Sequence, residues 1–127
     1  MTLEEIIKTE KQILEDGNTI ENNIIQGCDI TVIGHFGNLV SLNVWADNCC
    51  LLSNYNNTNN LGWIIKALVE LYGLTDEDGY VMSKFKNIPC RIIVEGKNGG
   101  LGGKVIGFGH FMKDKFVYKN DLVKITE

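Results

Sequence analysis

One helical pattern near the middle of the chain most constrains the fold that this sequence can adopt. Apolar residues recur at helical spacing over residues 61–72, and Gly73 follows at the position where helices commonly end in a left-handed residue. Trp63, Lys66 and Glu70 fall on the opposite, solvent-facing side. A helix with one apolar face has to bury it, so the pattern predicts a second layer of structure. The apolar face comprises Leu61, Ile64, Ile65, Leu68, Leu71 and Tyr72.

The segments on both sides of this helix show the two-residue alternation that is typical of β-strands. Gly37-Asn38 predicts a hairpin turn between the first two, and the polar residues 53–60 predict a loop before the helix. The order strand–strand–helix–strand–strand predicts an α+β fold, in which an antiparallel sheet of about five strands packs on one central helix. The predicted strands cover residues 28–35, 39–46, 89–95 and 104–109, and residues 116–118 and 122–125 extend the sheet.

The beginning of the chain predicts an added amphipathic helix. Thr2 and Glu5 have the spacing of a capping box, apolar residues follow at helical spacing, and Gly17 suits the position after the last turn. We expect one helix over residues 3–16 and a polar linker up to residue 26, so that residues 27–127 form a single α+β domain. The helix packs either on that domain or on a second copy of itself, and we expect a homo-oligomer.

Composition and charge exclude several classes of protein. The chain has 127 residues, 44% of them hydrophobic, and one proline, which indicates a folded domain. It contains no apolar run long enough for a membrane span and starts without the basic and apolar regions of a signal peptide, so we expect a cytoplasmic protein. The net charge is −6 over residues 1–60 and +2 over residues 61–127. This distribution disfavours direct nucleic-acid binding but allows an anion site in the second half.

The sequence contains no pattern that indicates metal binding or catalysis. The two histidines, His35 and His110, lie in the similar segments VIGHF and VIGFGHF, which we interpret as a coincidence of strand ends. No third ligand accompanies them, and neither a nucleophile signature nor a spaced carboxylate pair is present. The four cysteines form no Cys-x-x-Cys motif and predict unpaired thiols. We therefore expect a protein that is not an enzyme and that has no metal and no cofactor.

Aromatic and basic residues on the polar sides of the predicted elements indicate a binding site. Trp45, Trp63, Lys66 and Arg91 each point away from an apolar face, a combination that suits stacking on a base and pairing with a phosphate. Lys104 adjoins the glycine-rich residues 96–103, which lack the spacing of a phosphate-binding loop but offer backbone amides to an anion. The alternative is that the tryptophans pack under loops or against the N-terminal helix.

Residues 63–116, from WIIKALVELYGL to VIGFGHFMKDKF, resemble a family of small phage-encoded proteins. In that family a helix with I-R-x-[IL]-L-E leads to a V-R-V strand, a glycine-containing turn and the motif I-x-x-I-G-[HN]-x-x-x-D-x-W-F. LVSLNVWA also resembles the family's first hairpin, but SNYNNTNN stands where that family has a glycine-rich segment. The matched positions are Trp45, Lys66, Gly73, Arg91, Gly109, His110 and Asp114.

The resemblance implies a function in phage counter-defence. The family is similar to phage proteins that sequester cyclic ADP-ribose-type signals of the Thoeris system, which implies tight binding of a nucleotide-derived signal without catalysis. One alternative is an anti-CRISPR-like inhibitor whose acidic first half binds a host defence protein, and another is a phage protein of unrelated structural role. The ligand-binding residues implied by the patterns and the resemblance together are Trp45, Trp63, Lys66, Arg91, Lys104 and His110.

Overall fold

The computed structural model describes residues 1–33, 39–47, 49–74, 81–96 and 103–126. These residues form one six-stranded antiparallel sheet with the strand order β3-β2-β1-β4-β5-β6. The strands are β1 (Thr19–Ile33), β2 (Leu39–Ala46), β3 (Cys49–Asn57), β4 (Ile88–Val94), β5 (Val105–His110) and β6 (Phe116–Tyr118). The α-helices are α1 (Leu3–Ile6), α2 (Glu10–Glu15), α3 (Thr58–Tyr72) and α4 (Lys119–Leu122), and a 3-10 helix covers Val81–Phe85.

The α+β class and the antiparallel sheet are confirmed, whereas the strand number and the single central helix are corrected. Helix α3 buries Ile64, Leu68 and Leu71 in the main core on one face of the sheet. Helix α2 covers part of the other face, where Ile13 packs with Ile93 in a smaller core. Both faces of β4 are therefore buried, because successive strand residues point in opposite directions. Each fully buried large apolar side chain contributes about 1.5–3 kcal/mol to folding.

Residues 19–26, predicted as part of a linker, form the first half of the central strand β1. Thr19–Ile25 pair with β4, and the second half of β1 pairs with β2 after an irregularity between Ile25 and Gly27. Asn23 in the first half binds the residue that follows β2: its Oδ1 accepts from the Asp47 backbone N–H at 3.2 Å, and its Nδ2 donates to the Asp47 carbonyl at 3.3 Å. The polar residues concealed this strand, because asparagine has a low strand propensity unless its side chain finds such partners.

The N-terminal segment contains two short helices instead of the single predicted one. Thr9 caps α2 through a capping box with Gln12, and Lys8 exchanges two backbone hydrogen bonds with Phe116 at 2.8 and 2.9 Å. The helical spacing of apolar residues continues across this break, so the pattern alone did not reveal it. Ile6 and Ile13 are fully buried against the rest of the chain. Within this chain the segment therefore packs on its own domain.

Two further predictions were wrong for the same general reason, that side-chain patterns are ambiguous over short segments. The whole of the predicted loop at residues 53–60 is the end of strand β3 and the start of α3, and β3 is held by backbone pairing with β2 that requires no apolar side chains. The predicted strand at residues 122–125 does not form: Leu122 ends α4, and Leu122 and Ile125 are buried in the main core. His35, the Gly37-Asn38 turn and most of the glycine-rich loop lie outside the described residues.

Candidate functional site

The six residues predicted to bind a ligand lie at four places in the structure. Trp63 and Lys66 lie together on α3. The Arg91 side chain on β4 donates a hydrogen bond to the backbone carbonyl of His110 at the end of β5. Trp45 lies on β2 and Lys104 lies just before β5. The structure therefore brings two of the predicted residues into one candidate site for a small molecule, and gives the others separate surroundings.

The pair on α3 faces a groove between α1 and α3, which we call the α1–α3 groove. The Lys66 Nζ lies 5.4 Å from the centroid of the Trp63 ring, within the range of a cation–π contact. Trp63 is 41% exposed, so part of its ring remains open to a ligand. The groove has a volume of about 240 Å³, and its lining residues are Thr2, Leu3, Glu4, Trp63, Lys66, Ala67 and Glu70.

The local sequence explains how this groove is built. Because α3 turns its apolar stripe toward the sheet, Trp63, Lys66 and Glu70 are left on the outer side at spacings of three and four residues. The short helix α1 is held beside α3 by the buried Ile6, and the Thr2 side chain caps it by accepting from the Glu5 backbone N–H. The sequence predicted the α3 part of the groove, but not the contribution of Thr2 and Glu4, which depends on where α1 docks.

Arg91 is bound within the protein. Its Nε donates to the His110 carbonyl at 2.9 Å, and its Nη2 donates to the Lys113 carbonyl at 2.8 Å. Its Nη1 lies 3.8 Å from the Glu10 carboxylate, and its guanidinium carbon lies 4.5 Å from the centroid of the Phe116 ring. The guanidinium therefore joins α2 to the turn between β5 and β6, and we call this group of contacts the Arg91 clamp.

His110 holds the same turn from inside. Its Nδ1 accepts from the backbone N–H groups of Met112 and Lys113, both at 3.0 Å, so its proton is on Nε2. Its ring stacks on Tyr72 at a centroid distance of 6.3 Å. Burial lowers the pKa of His110 below its usual value of 6.5, and the positive charges of Lys113, Lys115 and Arg91 lower it further. The imidazole is therefore an acceptor for the turn at neutral pH.

This arrangement predicts that mild acid weakens the fold through His110. Its folded-state pKa is lower than its unfolded-state pKa, so its contribution to stability is complete above about pH 6.5 and is lost as the pH falls below that value. We expect His110→Asn, which keeps an acceptor but does not titrate, to lose less stability between about pH 7.5 and pH 5 than the wild type. Urea unfolding at both pH values measures this difference. An equal loss in both proteins would contradict the prediction.

Trp45 lies on the outer face of the sheet, which is the face opposite α3. Its neighbours Val44 and Ala46 are buried in the main core, whereas Trp45 is 37% exposed. Its ring lies against Gly27 of the neighbouring strand, where an added Cβ would lie 2.9 Å from the Trp45 Cε2.

Lys104 is exposed, and its carbonyl accepts from the Glu95 backbone N–H at 2.8 Å.

Two of the four cysteine thiols, those of Cys28 and Cys90, are held in an unreactive form. Burial raises the pKa of Cys28 to about 11 and that of Cys90 to about 12, so both thiols are protonated at neutral pH.

The described residues contain no group of three or more histidine, cysteine, aspartate or glutamate side chains arranged to hold a metal ion. Within the same residues, no helix has the length and apolar character needed to cross a membrane.

The acidic residues of α2 surround the exposed Leu14 at a shallow surface of about 520 Å³ that Asp114 also lines. Much of this charge is balanced within the chain, because Glu10 pairs with Arg91 at 3.8 Å and Glu15 pairs with Lys11 at 3.9 Å. This surface consequently offers little uncompensated charge for a basic partner. The surface therefore provides no specific support for the alternative that the protein is an anti-CRISPR-like inhibitor.

Comparisons with protein-family models, with curated proteins and with solved structures returned no match to this chain.

Proposed function

We propose that this protein is a non-catalytic phage counter-defence protein that sequesters a nucleotide-derived signal of the cyclic ADP-ribose type. The observation that carries the binding part of this proposal is the α1–α3 groove, where the Lys66 Nζ lies 5.4 Å from the centroid of the partly exposed Trp63 ring. The counter-defence role comes from the resemblance of residues 63–116 to the phage family.

The groove combines the three chemical features that a nucleotide needs. The exposed face of Trp63 stacks on the base, a contact worth about 1–3 kcal/mol. Lys66 pairs with a phosphate oxygen, and the Glu4 and Glu70 carboxylates accept hydrogen bonds from ribose hydroxyls. The groove holds one lysine and two carboxylates. It therefore favours a ligand that pairs one phosphate oxygen with Lys66 and keeps the remaining phosphate charge in solvent. Sequestration of a scarce signal requires sub-micromolar affinity, or more than about 8 kcal/mol of binding free energy.

In this proposal Arg91 and His110 stabilise the fold and are not in contact with the ligand. The Nε and Nη2 of Arg91 bind backbone carbonyls, and the Nδ1 of His110 binds backbone amides, so these groups stabilise the turn instead of contacting the phosphates. Lys104 does not line the groove. That the protein forms a homo-oligomer stays a prediction. Light scattering would measure the mass of the assembly.

Substitutions on α3 test the binding proposal directly. We expect Trp63→Ala and Lys66→Glu each to weaken the binding of cyclic ADP-ribose or ADP-ribose at least tenfold, since each removes about 1.4 kcal/mol or more. Isothermal titration calorimetry measures the affinities. Trp45→Ala and Lys11→Glu are matched controls, because both side chains are exposed and neither lines the groove. Equal losses in the control variants, or no binding by the wild type, would refute the proposal.

A further inference from the structure

The outer face of β1, β2 and β3 carries a continuous network of polar side chains beside Trp45. Asn43 is its centre: Nδ2 donates to the Asp29 Oδ1 at 2.8 Å and to the Thr31 hydroxyl at 3.1 Å. The Asn43 Oδ1 accepts from the hydroxyls of Ser41 at 2.8 Å and Ser53 at 3.0 Å. Both N–H donors and both acceptor lone pairs of the Asn43 side chain are thereby used, so the surrounding oxygens are held in fixed positions.

The network leaves hydrogen-bonding capacity on the surface of the sheet. Asp29, Thr31 and Ser53 are exposed. Among the described residues, the second carboxylate oxygen of Asp29 makes no hydrogen bond, the Thr31 hydroxyl is bound only as an acceptor, and the Ser53 hydroxyl only as a donor. The surface thus offers both acceptors and a donor in one plane, a combination that matches hydroxyl groups, which both donate and accept.

Trp45 supplies a flat apolar area next to this network. It lies two residues from Asn43 on the same face of β2, a separation of about 7 Å. The ring lies flat because Gly27 has no side chain: a Cβ there would lie within 3.0 Å of three atoms of the indole ring. One ring face contacts the sheet, and the side chain remains 37% exposed.

Charge separates this surface from a nucleotide site. β1, β2 and β3 contain no lysine or arginine, and their acidic residues are Glu21 and Asp29. A phosphate or sulfate group placed here would meet the Asp29 carboxylate without a cation on these strands to offset it. The surface therefore favours a neutral ligand with a flat apolar side and many hydroxyl groups.

We propose that the outer face around Trp45 is a binding site for a neutral carbohydrate. The C–H face of one pyranose ring stacks on the exposed indole face, whose partial negative charge attracts those hydrogens. The hydroxyls of the same sugar or of the next one bind the Asp29 carboxylate and the Thr31 and Ser53 hydroxyls. This site lies on the opposite side of the sheet from α3 and does not depend on the proposed function.

The test is fluorescence titration of the full chain in a Trp63→Phe background, so that Trp45 is the remaining tryptophan. The soluble probes are maltohexaose, cellohexaose, chitohexaose and mannohexaose, and a printed array of neutral, sulfated and phosphorylated glycans extends the search. We expect saturable binding of at least one neutral glycan. Asp29→Ala, which removes an exposed side chain, should weaken it about tenfold, the loss expected for a hydrogen bond to a charged group.

Two further variants keep the proposal testable if one of them folds poorly. On the array, Trp45→Ala removes the stacking surface, whereas Gly27→Ala leaves Trp45 in place but displaces its ring, and both should abolish binding if circular dichroism shows that they are folded. Trp63→Ala should bind glycans like the wild type. The proposal is overturned if no neutral glycan binds, if only sulfated or phosphorylated glycans bind, or if Asp29→Ala and Gly27→Ala bind like the wild type.

Discussion

Replacing Arg91 with alanine is expected to lower the free energy of unfolding by about 2–3 kcal/mol, although Arg91 lies on a strand surface. The substitution removes the donors for two backbone carbonyls, of His110 and Lys113, and the cation–π contact with Phe116. The ion pair with Glu10 adds little, because its atoms are 3.8 Å apart and Glu10 is about half exposed. Urea unfolding followed by circular dichroism measures the change.

Two controls distinguish the Arg91 clamp from a general charge effect. Arg91→Lys keeps the charge but cannot reach two carbonyls with a planar fork, so we expect it to lose at least about half as much stability as the alanine variant. Lys115→Ala, at an exposed position of the same turn, should change stability by less than about 0.5 kcal/mol. If Arg91→Ala retains wild-type stability but loses ligand binding, Arg91 is a ligand residue and the structural role assigned to it here is wrong.

Replacing Gly107 with alanine is expected to destabilise the protein by about 3 kcal/mol or more, enough to prevent folding of a marginally stable domain. An added Cβ would collide with the Val117 carbonyl and would lie 3.0 Å from the Tyr118 Cα, and both of these atoms belong to the backbone of β6. A side chain can move away from such a contact at little cost, but here the strands β5 and β6 would have to separate. Thermal unfolding measures the loss, at about 4 °C per kcal/mol for a chain of this length.

Gly62 provides the matched control for Gly107. The two substitutions are chemically identical, but a Cβ at Gly62 meets no atom within 4 Å, and Gly62 lies inside α3. We expect Gly62→Ala to raise stability by about 0.5–1 kcal/mol, because alanine loses less conformational entropy in a helix than glycine does. A similar destabilisation by both substitutions would contradict the explanation by close strand packing.

The sequence was most informative where a side-chain period extended over several turns or strands. The stripe of α3 predicted both its buried face and the outer position of Trp63 and Lys66, and alternation along β2 predicted that Trp45 points away from the core. It was least informative in polar segments. The first half of β1 and the second half of β3 contain many amide and hydroxyl side chains, and their pairing rests on backbone hydrogen bonds that any residue except proline can both donate and accept.

The candidate sites show the same division. Residue type and local period together predicted that tryptophan, lysine and arginine supply binding surfaces. The local period determines which side of an element each of them occupies. Whether Arg91 faces a ligand or a backbone turn depends on the positions of β5, β6 and α2, which are distant in the sequence. The fold class and the outward orientation of these side chains thus follow from the local pattern. Their partners follow from long-range packing, since contacts between distant segments are determined by the cooperative burial of the whole core.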